Sequence, residues 1–234
     1  MKMRDKKAEQ LKLKIRHKEQ LKTNRRIEPI FDRPEPKLAE KPTILIVCEG
    51  ENTEPSYFKQ FRLSSATIKS VGEGYNTISL VNRAIQIASQ GSYEQVWCVF
   101  DKDDFPDVDF NNAISIAEAN NFGVAYSNQA FEYWIILHFD DHQGGGMGRD
   151  DYNTKINKLL KPYNLTYDGT KSKIITEGIF ELLDGIDEKT NQERKITAIG
   201  RAKRILTRFD QKNPAKEEST TTVFRLVKEL LKYV

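Results

Sequence analysis

TILIVCEGENTEPSYF, residues 43–58, is the stretch from which the fold is read. Ile44 to Cys48 form an unbroken apolar, β-branched run without polar alternation. That pattern fits a strand covered on both faces. An acidic Glu49-Gly50 turn follows, and a helix then opens with Thr53 as the expected N-cap and Glu54 and Pro55 in the first turn. QVWCVF, 95–100, repeats the pattern and runs into DKDDFPD, 101–107. ATIKSV, 66–71, and FGVAYSN, 122–128, read as further strands.

Helical patterns fill the gaps. TISLVNRAIQIASQ, 77–90, places Ile78, Val81, Ile85 and Ala88 on one face, and DFNNAISIAEANN and AFEYWIILHF follow later strands. Strands alternating with amphipathic helices predict an α/β fold over 43–139, a mostly parallel sheet flanked by helices.

Outward from this core the character changes. DDHQGGGMGRDD, 140–151, holds four glycines within five positions and reads as a mobile loop and a boundary. Residues 140–234 then read as an α-helical C-terminal portion packed on the sheet, closing with Val223, Leu226, Val227, Leu230 and Leu231 on one helical face. Residues 1–42 read as a basic N-terminal arm and a linker. A helix is expected over 6–22, with only Leu11, Ile15 and Leu21 as apolar positions, and 28–42 contains four prolines.

Charge separates the arm from the body. Residues 1–26 carry eleven Lys and Arg against three Asp and Glu, an excess of eight. The whole chain is +3, so residues 27–234 carry −5. A basic arm on an acidic body favours a polyanionic partner, DNA or RNA; the alternative is a solubilising tail. There is no apolar run near the roughly 20 residues that span a bilayer. The leading segment has no secretory apolar region, so a cytoplasmic location is expected. Cys48 and Cys98, the two cysteines, each lie in a strand-like run and are expected to be buried free thiols. Three unclustered histidines argue against a His-based zinc site. His138 is expected in the core and His142 at the surface. No phosphate-loop signature is present.

The chemistry concentrates on carboxylates. Glu49 follows the first strand and Asp101 the third, and ligands of open parallel sheets bind beyond the carboxyl ends of strands. In extended chain, Asp101 and Asp103 point the same way and can offer oxygens to one hard cation such as Mg²⁺ or Mn²⁺. Asp104 and Asp107 extend the negative field. Glu132 opens an apolar helix beyond a strand end, either as a metal ligand or as an acid satisfied by the helix dipole. Asn128 is expected to cap that helix, the alternative being a contact to substrate phosphate. Lys195, Arg201, Lys203, Arg204 and Arg208 read as a solvated basic face or a phosphate-contacting surface.

Together, ILIVCEGENTEPSYF, VWCVFDKDDF and SNQAFEYWIILHF resemble the signatures of RloB-like proteins, which include AbiLii-type abortive-infection proteins. NPAKEESTTTVFRLVKEL resembles the family's closing segment. The likeness covers about 43–234 and is similar in turn to the Toprim fold of topoisomerases, primases and OLD-type nucleases. That fold has a Glu after its first strand and D-x-D after its third, positions matched by Glu49, Asp101 and Asp103. The resemblance implies Mg²⁺-dependent phosphodiester chemistry in bacterial anti-phage defence near restriction-modification genes. It also implies partnership with a separately encoded ATPase, and homo-oligomers are allowed. Glu49 would act as acid/base or bridging ligand, with Asp101 and Asp103 as metal holders and Glu132 beside them. Gln129 stands where the family pattern often has Pro, which loosens the expected placement of Glu132. Three functions compete: a nuclease, a non-catalytic nucleic-acid-binding or assembly subunit working beside the ATPase, and phosphoryl or nucleotidyl transfer to a small molecule.

Overall fold

The computed structural model describes residues 11–20, 42–70, 77–143 and 145–234. The chain divides into two units, 1–40 and 41–234. In the first, residues 11–20 form helix α1, exposed along its whole length, with Leu11, Leu13 and Ile15 in solvent. The expected linker, apart from Pro42, lies outside the described residues.

The second unit is built on a five-stranded sheet in the order β2-β1-β3-β4-β7. The strands are β1 (Ile44–Cys48), β2 (Ala66–Ser70), β3 (Gln95–Asp101), β4 (Gly123–Asn128) and β7 (Thr220–Thr221). The first four pair in parallel, with Ile44 opposite both Ala66 and Gln95, and Asp101 opposite Ser127. This α/β architecture is consistent with a Toprim-like fold.

The unbroken apolar run of β1 has a direct cause. All five of its residues are fully buried, and successive side chains enter different cores. Ile44, Ile46 and Cys48 pack with α2 (Thr53–Lys59) and α5 (Glu132–Leu137) through Tyr57, Phe58 and Trp134. Leu45 and Val47 pack with α3 (Thr77–Ser89) and α4 (Asp107–Ala119) through Leu80, Val81 and Phe110. The buried stripe of α3 is centred on Leu80, Val81 and Ala84, with Ile78, Ile85 and Ala88 at its margin. Both cysteines are buried free thiols, as expected.

The C-terminal portion contributes α6 (Arg149–Leu160), α7 (Glu177–Asp184), α8 (Arg194–Leu206) and α9 (Val223–Leu230). Between α7 and α8 lies a small hairpin, β5 (Ile186–Asp187) with β6 (Gln192–Glu193). The portion is not only helical. Strand β7 joins the sheet antiparallel to β4, pairing Ser127 with Thr221 and Asn128 with Thr220. Two polar residues carry no strand periodicity, so this edge was not readable. Helix α9 buries Val223, Leu226, Val227 and Leu230 as its pattern predicts, while Leu231 is half-buried.

Candidate functional site

Strand order places the candidate site. From β1 the chain crosses through α2 to β2 on one side and returns through α3 to β3 on the other. The two helices lie on opposite faces, so the carboxyl ends of β1 and β3 flank a topological switch point. Glu49 and Asp101 stand there. The Glu49 N–H donates to Val99 O at 2.9 Å, and Glu49 Oε2 accepts the Asp101 N–H at 3.2 Å.

Asp101 is 9% exposed. Its Oδ2 accepts the Phe131 N–H at 3.0 Å, from the residue before α5. Its Oδ1 is buried and has no hydrogen-bond partner among the described residues. Burial pushes the Asp101 carboxyl well above the usual carboxylate range, and the charges of Glu54, Asp103 and Glu132 push it further.

Glu54 is the residue the sequence reading missed. Its pattern is that of an ordinary first-turn acid, yet it is 5% exposed and belongs to this cluster. Burial raises its carboxyl to about 7, with Glu132 and Asp103 adding to the shift against the N–H groups of Glu54 and Gly50. A β-carbon on residue 50 would lie 2.3 Å from Glu54 Oε2, so any larger residue there must shift the Glu54 carboxyl. The E-G-x-x-x-E spacing was a usable signal, because a first-turn side chain can reach back over the loop that precedes its helix.

Asp103 joins the cluster by a different route from the expected one. Strand β3 ends at Asp101, and Asp103 has a φ of 39°, so the extended-chain argument for its direction does not hold. A turn, held by Lys102 N–H to Ser127 O at 2.8 Å and Asp103 N–H to Gln129 O at 3.2 Å, brings it near Asp101. Lys102, between the two, turns away to Phe105 O at 2.5 Å and Asp107 at 3.2 Å. Asp107 also pairs with Lys216 at 2.7 Å. Those lysines hold its carboxyl below the usual range, so it is neutralised rather than extending the negative field.

Glu132 accepts a hydrogen bond from the Tyr167 hydroxyl at 2.7 Å, and that hydroxyl also meets Thr53 Oγ1 at 3.1 Å. Tyr167 comes from the C-terminal portion and is buried. No local signal in NLTYDGT marks it. Thr53 is therefore not the N-cap of α2: Asn52 occupies that position, and the Thr53 hydroxyl serves Tyr167. Asn128 does not cap α5 either. Its amide donates to Pro214 O and Ala215 O, at 3.0 and 3.1 Å. Gln129 fixes the approach to α5 without the proline constraint, through its carbonyl to Asp103 and its amide to Glu218 at 3.0 Å.

Two further expectations change. His142 is half-buried, edge-on to the Tyr133 ring, with Nδ1 3.3 Å from its hydroxyl. His138 is a core residue as expected, and burial drives its pKa down to about 3. The basic run on α8 is mostly structural. Lys195 is buried over Phe61 and Phe180 and pairs with Asp184, Arg204 pairs with Asp141, and Arg201 donates to Leu137 O at 2.8 Å.

The site is thus a cluster of hard oxygen donors, with Glu54 and Asp101 buried and Glu49, Asp103 and Glu132 half-buried. Among the described residues, no three or more His, Cys, Asp or Glu side chains form a ready-made metal-holding group. The structure draws Glu54, Asp101, Asp103 and Glu132 into mutual electrostatic range, with Glu49 hooked to the Asp101 backbone. Residues 44–230 match the model of the RloB-like protein family. The chain belongs to the RloB-like family. In RloB-like terms the match takes in the sheet, the acidic crevice and the C-terminal helices, and leaves out the basic arm. No curated protein and no solved structure matches the chain. Among the described residues no helix is long and apolar enough to cross a membrane.

Proposed function

We propose that this RloB-like protein hydrolyses phosphodiester bonds of DNA or RNA with Mg²⁺ or Mn²⁺ bound at the β1–β3 crevice. Asp101 carries the reading: a buried carboxylate at a strand end, with one oxygen unpartnered among the described residues and three acidic neighbours raising its pKa. Crowded carboxylates of this kind are costly to ionise without a partner. Hard oxygen donors fit a divalent cation. Asp101 and Asp103 would hold it, with Glu54 and Glu132 at its border. When bound, the ion would supply charge stabilisation for the phosphodiester and acidify water.

The chain's own residues do the positioning. Phe131 N–H fixes one Asp101 oxygen and leaves the other buried without a hydrogen-bond partner among the described residues. The hook from Glu49 to the Asp101 backbone holds a second carboxylate at the crevice, where it would transfer the proton. Tyr167 holds Glu132 in place. The basic residues of 1–26 would raise the local concentration of the polyanionic substrate. A role in anti-phage defence, near restriction-modification genes and beside a separately encoded ATPase, is supported by the family alone.

One observation favours a second reading. The described carboxylates do not form a closed metal-holding group, and Glu54 and Asp101 have raised pKa values that suit proton-sharing acids. On that reading the chain is a non-catalytic nucleic-acid-binding or assembly subunit. The test is a cleavage assay of the full chain on DNA and RNA with Mg²⁺, Mn²⁺ or chelator. Cleavage should require the cation and vanish in Asp101→Asn; cleavage that persists in that variant rejects the proposal. Salt-sensitive nucleic-acid binding unaffected by chelator, without cleavage, supports the second reading.

A further inference from the structure

A second concavity lies at the other end of α5, away from the Glu132 end that meets the acidic cluster. It is a half-enclosed cleft of about 970 Å³ between α6, the 3-10 turn Lys161–Tyr163, the β5–β6 hairpin and α8. The size lies within the range of small-molecule sites, about 300–1,000 Å³.

One wall carries an aromatic ring held by an arginine of the same cleft. Tyr163 is 40% exposed, yet its ring is fixed by Arg194, a buried residue. The Arg194 guanidinium lies 5.3 Å from the Tyr163 ring centre and 5.7 Å from that of Phe139. It donates to the Tyr163 hydroxyl at 3.0 Å and to Ile186 O at 2.9 Å. A buried arginine committed to orienting a partly exposed ring leaves that ring preorganised for stacking.

Cations line the same cleft from three elements. Lys158 stands on α6, Lys189 on the hairpin and Arg201 on α8. Among the described residues Lys158 and Lys189 have no ion-pair partner, and both are exposed. Arg201 is half-buried and tethered through Leu137 O. The other two cations of the lining are already matched, Lys155 by Asp140 at 2.6 Å and Arg194 by Asp187 at 3.6 Å. Asp151 and Glu188 also line the cleft. Carboxylates spread along the wall would repel a long polyanion, whereas a short anion can sit among the three cations.

We propose that this cleft binds a nucleoside phosphate, its base stacked on Tyr163 and its phosphates among Lys158, Lys189 and Arg201. The site is separate from the acidic crevice and does not depend on the hydrolytic reading. It would serve as an effector or product site.

The test is calorimetric titration of the full chain with ATP in the presence of chelator, which removes any contribution from a cation at the acidic crevice. ATP should bind at one site per chain, and pyrophosphate about tenfold more weakly, because it lacks a base to stack. Lys158→Glu and Lys189→Glu, both surface changes, should each weaken ATP by about tenfold by replacing attraction with repulsion. Tyr163→Leu, which keeps apolar packing against Arg194, should weaken ATP by about tenfold but leave pyrophosphate unchanged. Asp101→Asn should leave ATP binding unaltered. The proposal is overturned if ATP gives no binding, if neither lysine variant alters it, or if Asp101→Asn abolishes it. Pyrophosphate binding as tightly as ATP also overturns it, as does a single-stranded oligonucleotide binding more tightly than ATP with the same dependence on Lys158 and Lys189.

Discussion

The Glu54 carboxylate occupies the space into which a side chain on residue 50 would project. A β-carbon there would lie 2.3 Å from Oε2 and 2.9 Å from the carboxyl carbon. Gly50→Ala must therefore displace the Glu54 carboxyl, the movable end of a side chain, at an expected cost of about 1 kcal/mol, the low end for overpacking. Glu54→Ala removes the obstacle. Denaturant unfolding of both single variants and the double variant should show strong non-additivity, with the alanine at 50 nearly neutral once Glu54 is gone. Additive costs would contradict the packing.

The raised Glu54 pKa makes a signed statement about stability. Its carboxyl titrates at about 7 in the fold and at 4.5 ordinarily. The native state therefore retains a proton that the unfolded chain has released, and stability falls as pH rises from about 4.5 to about 7. His138 acts oppositely. Its pKa falls from 6.5 to about 3, so stability falls as pH drops through that interval. Comparison with Glu54→Gln isolates the first effect: in chelator, the variant should gain on the parent between pH 5 and pH 7 by about 2 kcal/mol. Parallel stability profiles would remove Glu54 from the buried cluster.

Tyr167→Phe deletes the hydroxyl that joins Glu132 to Thr53. A destabilisation of about 1–3 kcal/mol is expected, because a half-buried carboxylate loses its donor. If Glu132 borders the proposed cation, the variant should also need more Mn²⁺ for half-maximal cleavage. Glu132→Gln combined with Tyr167→Phe should then cost less than the two changes summed. An unchanged Mn²⁺ dependence would leave Tyr167 with a purely structural role.

Lys195 offers a contrast between surface and core. It is 3% exposed, paired with Asp184 and lying 4.8 and 4.9 Å from the ring centres of Phe61 and Phe180. Lys195→Ala should cost about 1–2 kcal/mol in thermal or denaturant unfolding, through the lost cation–π contacts, since Asp184 stays in solvent. Nucleic-acid affinity of the folded variant should remain that of the parent. A weakened affinity with unchanged stability would restore Lys195 to a phosphate-binding face.

The sequence alone determined the parallel core and where its strands end. ILIVC and QVWCVF lack alternation because both sheet faces are covered, and a local pattern records that condition fully. It also placed Glu49 and Asp101 at the ends of two separate strands, and the strand order of the fold then made those strands neighbours. The rest of the site was decided only by tertiary structure. Glu54 enters the cluster because its helix starts directly behind Gly50. Asp103 arrives through a left-handed turn where an extended strand was expected. Tyr167 reaches Glu132 from 35 residues away, and Lys195 sinks into the aromatic core. The physical reason is common to all four. Periodicity reports how much of a residue is covered, whereas its partner and its charge state depend on which distant groups the fold brings against it.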